Sequence, residues 1–242
     1  MLINIPKSKV MRITKRKCTT PTYFLCNSEL ESVYSFKYLG IIFTSNLSWD
    51  MHISAITTRA SRLLGFLRSI SAGLSVAVKL NLYKSLILPI IEYGVPAWGP
   101  QNQCQVNKLE SIQRHATRYI LGVKRQEVPY HNRLKQLNWY SISYRYKIIL
   151  INFITKCMIG NFNCTQVTSH IIVNVRHADT LLFNHIFART DILRTHPINI
   201  FPRLWSELPA VLRDSLVCDS IQTFLSKVKR YFLPLSHNEP GK

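Results

Sequence analysis

WDMHISAITTRASRLLGFLRSI, residues Trp49 to Ile70, is the stretch that decides the fold. Ile53, Ile56, Ala60, Leu63, Leu64, Leu67 and Ile70 recur at steps of three and four, the spacing of one buried face on an α-helix. Arg59, Arg62 and Arg68 stand around that face. Ser48-Trp49-Asp50 offers capping oxygens at the start, and Gly73 ends the run, as helix boundaries require.

Downstream the helical period persists. Val76, Leu80, Tyr83, Ile87 and Ile90 or Ile91 define a second helix with Lys79 and Lys84 outside it. Pro89 lies inside that pattern and predicts a kink or an early end, because proline lacks the N–H and its ring crowds the preceding turn. Gly94, Pro96, Gly99 and Pro100 then interrupt the chain. A third helix carries Val106, Leu109, Ile112, Ala116 and Ile120 inward, projects Lys108, Arg114 and Arg118 elsewhere, and stops at Gly122. A fourth spans Ile142 to Met158, with Ile142, Tyr146, Ile149 and Phe153 inward. Residues 160–202 lack periodicity and read as an irregular connection. A last helix runs from Ser220 to Phe232, and the tail after Pro234 reads as disordered.

Upstream the character is different. Lys9 to Thr14, Thr22 to Cys26, Val33 to Phe36 and Tyr38 to Phe43 read as short strands, the last two rich in aromatic and β-branched residues, which suit a pleated sheet. Asn27-Ser28 reads as a turn. The expectation is an α+β chain, mainly α: a small antiparallel N-terminal sheet, a helical bundle, and C-terminal helices. It is divided into segments 1–48, 49–100, 101–160, 161–203, 204–233 and 234–242. So small a sheet is marginal alone and should expose an apolar patch where it leans on something else.

Lys and Arg number 31 against 12 Asp and Glu, a formal net charge of +19. Such a field attracts polyanions. Nucleic acid is the first candidate partner, an anionic membrane surface the second, and a basic protein without a specific ligand the plain alternative. No apolar run reaches the roughly 18 residues of a membrane span. The first apolar stretch stops at Pro6 and Lys7, so no secretory leader is expected. An intracellular, reduced protein is expected, its six Cys mostly small buried hydrophobes.

Chemistry-bearing motifs are sparse. Template-directed polymerisation uses two metal ions about 4 Å apart held by carboxylates. The five Asp here (Asp50, Asp179, Asp191, Asp214 and Asp219) include no adjacent pair, and each reads as a cap or a surface charge. There is no Gly-rich phosphate loop, HExxH or nucleophile elbow. Cys157, Cys164, His170 and His177 are suitable atoms for zinc, but their gaps do not match a finger or knuckle. No catalytic residue, metal site, cofactor or small-molecule substrate is expected.

Three ordered blocks carry a family resemblance. Phe36-Lys37-Tyr38-Leu39-Gly40-Ile41, followed by Leu47-Ser48-Trp49-Asp50-Met51-His52-Ile53, resembles the segment after the active-site hairpin in LINE-type (non-LTR) retrotransposon reverse transcriptases. Leu82-Tyr83-Lys84-Ser85-Leu86, Pro89, Glu92-Tyr93-Gly94, Trp98-Gly99-Pro100 and Leu109 to Ala116 resemble the next signature, followed by Tyr130, Arg133-Leu134 and Leu137. Leu204-Trp205-Ser206-Glu207-Leu208-Pro209, with Ser220 and Phe224, resembles the final block of jockey-like elements. Order and spacing agree from about Asn4 to Phe232. Departures occur at Asn138, where a Gly is usual, and at Tyr144-Arg145, where paired Arg is usual.

The resemblance implies a C-terminal polymerase segment downstream of the catalytic aspartates: the end of the palm, the thumb and a C-terminal extension. Lys7 then matches a loop residue thought to assist nucleotide addition. Phe36 to Gly40, with Lys37 and Tyr38, matches the primer-grip turn. The helices after Trp49 match the thumb along the duplex minor groove, making Arg59, Arg62, Arg68, Lys79 and Lys84 candidate phosphate contacts, which position a duplex without reading it. Mg²⁺ would belong to a palm outside these residues. Three readings follow: a sequence-nonspecific RNA or DNA duplex binder, the thumb part of a split polymerase paired with a palm-bearing polypeptide, or an inert relic or scaffold.

Overall fold

Two β-hairpins precede the α-helices along the chain, as the strand-forming residues require. The structure, a computed structural model, describes residues 4–14, 19, 21–100, 102–162, 187, 189, 194 and 197–238. It divides into two compact units, Met1–Ile56 and Thr57–Lys242, and the chain is mainly α.

In the first unit, a 3-10 turn at Ile5–Lys7 is capped by Asn4, whose Oδ1 accepts the Lys7 N–H at 3.2 Å. β1 (Phe24–Leu25) pairs with β2 (Ser28–Glu29), and β3 (Ser35–Tyr38) with β4 (Ile41–Thr44), both antiparallel. The turns are Cys26–Asn27 and Leu39–Gly40, all four residues at positive φ, the geometry that matches strand twist in two-residue hairpins. The expected single sheet is therefore two separate ribbons. The break expected at Lys37 falls instead at Leu39–Gly40, because Gly40 adopts φ 85° without penalty while Tyr38 still pairs with Ile41. Lys9 to Thr14, expected as a strand, is instead held by an isolated bridge from Val10 to Ser32 and by the Thr14 N–H donating to the Ser45 carbonyl at 2.8 Å.

α1 (Asp50–Ile70) starts in this unit. Ser48 Oγ accepts the Asp50 N–H at 3.3 Å, and the Asp50 carboxylate accepts the Ser48 hydroxyl at 2.7 Å, so the expected capping oxygens are engaged. Trp49 is buried, edge-on to Phe43 at 5.4 Å.

In the second unit, α1 buries Ala60, Leu64 and Leu67, but Ile70 is exposed. Ser71 takes the buried place, its hydroxyl meeting the Leu67 carbonyl and the Tyr119 hydroxyl. α2 (Val76–Leu82) runs through a π turn at Tyr83–Ile87 into α3 (Leu88–Glu92). The irregularity expected around Pro89 takes the form of this wider turn just before it. The Leu88 N–H reaches back to the Tyr83 carbonyl, and the Ser85 hydroxyl takes the Asn81 carbonyl at 2.8 Å. A π turn is one way a helix re-satisfies its ladder near a proline. Tyr83, Ile87 and Ile91 are all buried as a result.

α4 (Val95–Trp98) precedes α5 (Gln103–Leu121), which buries Leu109, Ile112, Ala116 and Ile120 and ends at Gly122 with φ 69°. α6 (Tyr130–Leu137) and α7 (Ile142–Met158) follow. Ile149 and Phe153 on α7 are half-buried where full burial was expected, while Ile148, Leu150, Ile151 and Ile154 are buried. The cause is packing on two sides, with Tyr146 against Trp98 of α4 and Ile151 and Ile154 in a cluster with the C-terminal helices.

α8 (Pro197–Glu207), α9 (Ala210–Cys218) and α10 (Ile221–Asn238) complete that cluster through Phe201, Trp205, Phe224, Val228 and Phe232. Helix thus begins at Pro197 within the stretch expected to be irregular; residues 163–186 lie outside the described residues. α10 continues past Pro234, where a disordered tail was expected. Tertiary bonds hold its end: Ser236 Oγ accepts the Ser141 N–H at 2.7 Å, and His237 Nε2 lies 2.9 Å from the Trp139 carbonyl. Residues 239–242 lie outside the described residues. Of the cysteines, Cys157 is buried as expected, but Cys26 and Cys104 are exposed.

Candidate nucleic-acid interface

Lys7, Lys37 and Tyr38 belong to the first unit, and all three are exposed. Tyr34, Phe36 and Tyr38 fall on alternate positions entering and crossing β3, which places them on one face. Tyr34 and Tyr38 are each 59% exposed, Phe36 is 36% exposed, and Phe24 and Leu39 are exposed beside the two turns. This is the apolar surface the sequence led us to expect on the N-terminal strands. Lys37 also acts on His52, which burial first and Lys37 second hold below its ordinary value. The His52 Nδ1 accepts the Ile42 N–H at 3.3 Å.

The other five candidates belong to the second unit. Arg59, Arg62 and Arg68 are exposed on α1, Lys84 is exposed in the π turn, and Lys79 is half-buried on α2. Nine residues separate Arg59 from Arg68, which at 3.6 residues per turn puts them on opposite flanks of the buried face. The five therefore do not form one stripe. Arg68 and Lys79 instead converge on α5. Lys79 Nζ stands 5.6 Å from the centre of the Tyr119 ring, and the Tyr119 hydroxyl bonds Ser71, three residues beyond Arg68.

α5 brings further cations that local periodicity did not connect to Arg68. Arg133, 3% exposed, donates from one guanidinium nitrogen to the Arg114 carbonyl and the Thr117 hydroxyl, both at 2.9 Å. Arg114 and Arg133 both stack on the Tyr130 ring, at 5.3 and 5.4 Å. Burial first, then Arg125, Arg68 and Arg114, push the Arg118 guanidinium down from its ordinary value. Arg133 is lowered by burial and then by Arg118 and Arg114, against the opposing effect of Tyr130. The sequence signal for this group was the spacing of Arg114 and Arg118, one helical turn apart.

α5 is seated by a buried polar network. The Glu110 carboxylate accepts the Tyr130 hydroxyl and, at 2.8 Å, the Ile142 N–H at the start of α7. Gln113 donates to the Tyr140 carbonyl at 2.7 Å and to Tyr130 Oη at 3.1 Å. Burial, then Glu110, raise the Tyr130 phenol well above its usual range.

Ion pairs fall elsewhere: Lys9 with Glu31, Arg145 with Glu92, Lys147 with Glu207, and Lys227 with Asp219. Among the described residues, none of Lys7, Lys37, Arg59, Arg62, Arg68, Lys79, Lys84, Arg118, Arg125 or Arg133 takes part in one. No group of three or more metal-ligating side chains occurs among the described residues; Cys164, His170 and His177 lie outside them. No helix among them is long and apolar enough to cross a membrane.

Comparison with known proteins gives the site its context. The chain is 28% identical over 123 residues to a probable RNA-directed DNA polymerase from transposon X-element of Drosophila melanogaster, covering 50% of this chain and 14% of that protein. It is 28% identical over 124 residues to the RNA-directed DNA polymerase from mobile element jockey of the same organism, covering 50% and 13%. To the probable RNA-directed DNA polymerase from transposon BS, again of Drosophila melanogaster, it is 25% identical over 142 residues, covering 52% and 15%. The match thus spans about half of this chain and about a seventh of these relatives. No family model matches, and no solved structure matches. The curated homologues are RNA-directed DNA polymerases of jockey-like, LINE-type mobile elements.

Proposed function

We propose that this chain is the nucleic-acid-gripping segment of a jockey-like RNA-directed DNA polymerase, holding RNA or DNA duplex without sequence preference. Arg59, Arg62, Arg68, Lys79 and Lys84 contact phosphates from thumb-like helices, and Lys37 and Tyr38 belong to a primer-grip-like turn. The observation that carries this reading is that these cations have no ion pair among the described residues, whereas Lys9, Arg145, Lys147 and Lys227 do. A formal net charge of +19 over the whole chain draws polyanions.

In this reading the chemistry lies outside these residues. The pair of divalent ions that nucleotide addition uses needs converging carboxylates, and the residues present do not fit it. Asp50 engages Ser48, Asp219 engages Lys227, and Asp214 is exposed, far along the chain from Asp50. Asp179 and Asp191 lie outside the described residues. Lys7 is then a remnant of the nucleotide-addition loop.

Fluorescence anisotropy of a labelled RNA–DNA duplex, titrated at several salt concentrations, tests the proposal. If about six phosphates are neutralised, log affinity falls against log salt with a slope of roughly −5. A flat salt response removes the mechanism and favours an inert relic or scaffold. The exposed face of Tyr34, Phe36 and Tyr38 favours a second reading, in which a palm-bearing polypeptide covers it. Adding this chain to such a polypeptide should then increase primer extension, and no increase ends that reading.

A further inference from the structure

The arginines around α5 concentrate charge in a way that folding alone does not favour. Arg114 and Arg118 stand one turn apart on α5, Arg125 follows in the loop after Gly122, and Arg68 comes from α1, whose end the Ser71–Tyr119 hydroxyl bond ties to α5. Arg133 lies buried against the Arg114 carbonyl. Like charges gathered on one region repel through partly dehydrated surroundings; burial first, and then Arg125, Arg68 and Arg114, lower the Arg118 guanidinium, and burial first, then Arg118, lowers Arg133. Arg68, Arg118, Arg125 and Arg133 have no ion pair among the described residues. Arginine forks match phosphate oxygens two at a time, which the point charge of lysine does not. Cations drawn from a helix, a loop and a second helix also outnumber what one small anion can engage.

We propose that Arg68, Arg114, Arg118 and Arg125 form a discrete site for successive phosphates of a nucleic-acid backbone, centred on α5 and distinct from the Arg59, Arg62 and Lys84 contacts. The proposal rests on the reading that this chain grips nucleic acid, and extends it to the helix that follows the thumb-like pair. Bound phosphates relieve the repulsion, so the site is less stable empty than filled.

The test uses the full chain, a double variant Arg118→Gln/Arg125→Gln, and a triple variant Arg59→Gln/Arg62→Gln/Lys84→Gln. Inorganic pyrophosphate and a short RNA–DNA duplex are the probes. Pyrophosphate is expected to raise the melting temperature of the unaltered chain and of the triple variant, but not of the double variant. In low salt without anion, the double variant should melt no lower than the unaltered chain, which excludes a folding defect. Its duplex salt slope should be shallower by about 2, one for each contact removed. The conservative double variant Arg118→Lys/Arg125→Lys should keep most of the slope but only part of the pyrophosphate shift.

Retention of both the pyrophosphate shift and the full salt slope by the glutamine double variant overturns the site while leaving nucleic-acid binding intact. Pyrophosphate protection without duplex binding by the unaltered chain overturns both the broader reading and the assignment of this site to a nucleic-acid backbone. Capture by phosphatidylserine vesicles in preference to duplex overturns it in favour of a membrane surface.

Discussion

Replacing Glu110 by alanine is the sharpest probe of how the fold holds α5 in place. Glu110 is 6% exposed, and its carboxylate takes the Tyr130 hydroxyl and the Ile142 N–H. Removing it orphans two buried donors, each worth about 1–3 kcal/mol. It also takes a carboxylate from the start of α7, where negative charge is favoured by up to ~2 kcal/mol. A loss of about 3–5 kcal/mol follows from these contributions. At this chain length that lowers the melting temperature by roughly 6–20 °C. Glu110→Gln should lose less, about 1–2 kcal/mol. Its amide oxygen still accepts from Ile142, but its NH₂ then faces a Tyr130 hydroxyl that already receives Gln113. Urea denaturation followed by circular dichroism reads both variants. An alanine variant within about 0.5 kcal/mol of the parent refutes the reasoning, as does a glutamine variant equally damaged.

Trp205, 1% exposed and set between Phe201 and Phe224 at 5.5 and 5.9 Å, should cost about 3–5 kcal/mol when replaced by alanine; a loss below about 1 kcal/mol on denaturant melting contradicts its place in the C-terminal core. His52 should make the first unit acid-sensitive. Its folded pKa lies below the ordinary 6.5, so as pH falls the unfolded chain takes up the proton first. Its contribution is complete above about 6.5 and is lost as pH falls toward the lowered folded value. The difference in stability between the parent and His52→Gln, measured above and below that pH, should shrink on the acid side; a constant difference argues against the Ile42 bond.

Long apolar periodicity made much of this fold legible. α1, α5 and α7 each present several turns of one face, and α7 occupies the expected Ile142 to Met158. α6 was missed because it is short and one of its two buried side chains is the charged Arg133. The segment 204–233 was expected to be helical and holds the end of α8 and all of α9, but the start of α8 at Pro197 fell in the stretch read as irregular, which shows no clear periodicity. Pro197 begins α8 and Pro209 precedes the first turn of α9, where a missing N–H costs little. Pro202 is buried inside α8, between Phe201 and Leu204 of the apolar cluster along the chain.

The candidate site divides the same way. Helical spacing identified Arg59, Arg62, Arg68, Lys79 and Lys84 as outward cations, and they are exposed or half-buried. That Lys79 meets Tyr119 and that Arg68 acts on Arg118 depends on the approach of segments distant along the chain, which carries no local pattern. An exposed apolar patch on the N-terminal strands was expected, but the shared face of Phe36 and Tyr38 was not, because Val33 to Phe36 and Tyr38 to Phe43 were read as separate strands, whereas β3 runs through both residues.

Hydrogen exchange of the full chain with and without a short RNA–DNA duplex tests the grip most directly. Amides of α1 and of the α2–π–α3 helix, residues 57–92, are expected to gain protection on duplex addition and to lose that gain at high salt. Protection that is absent, or that persists at high salt and lies only in the C-terminal cluster of α8 to α10, contradicts a phosphate grip through these helices.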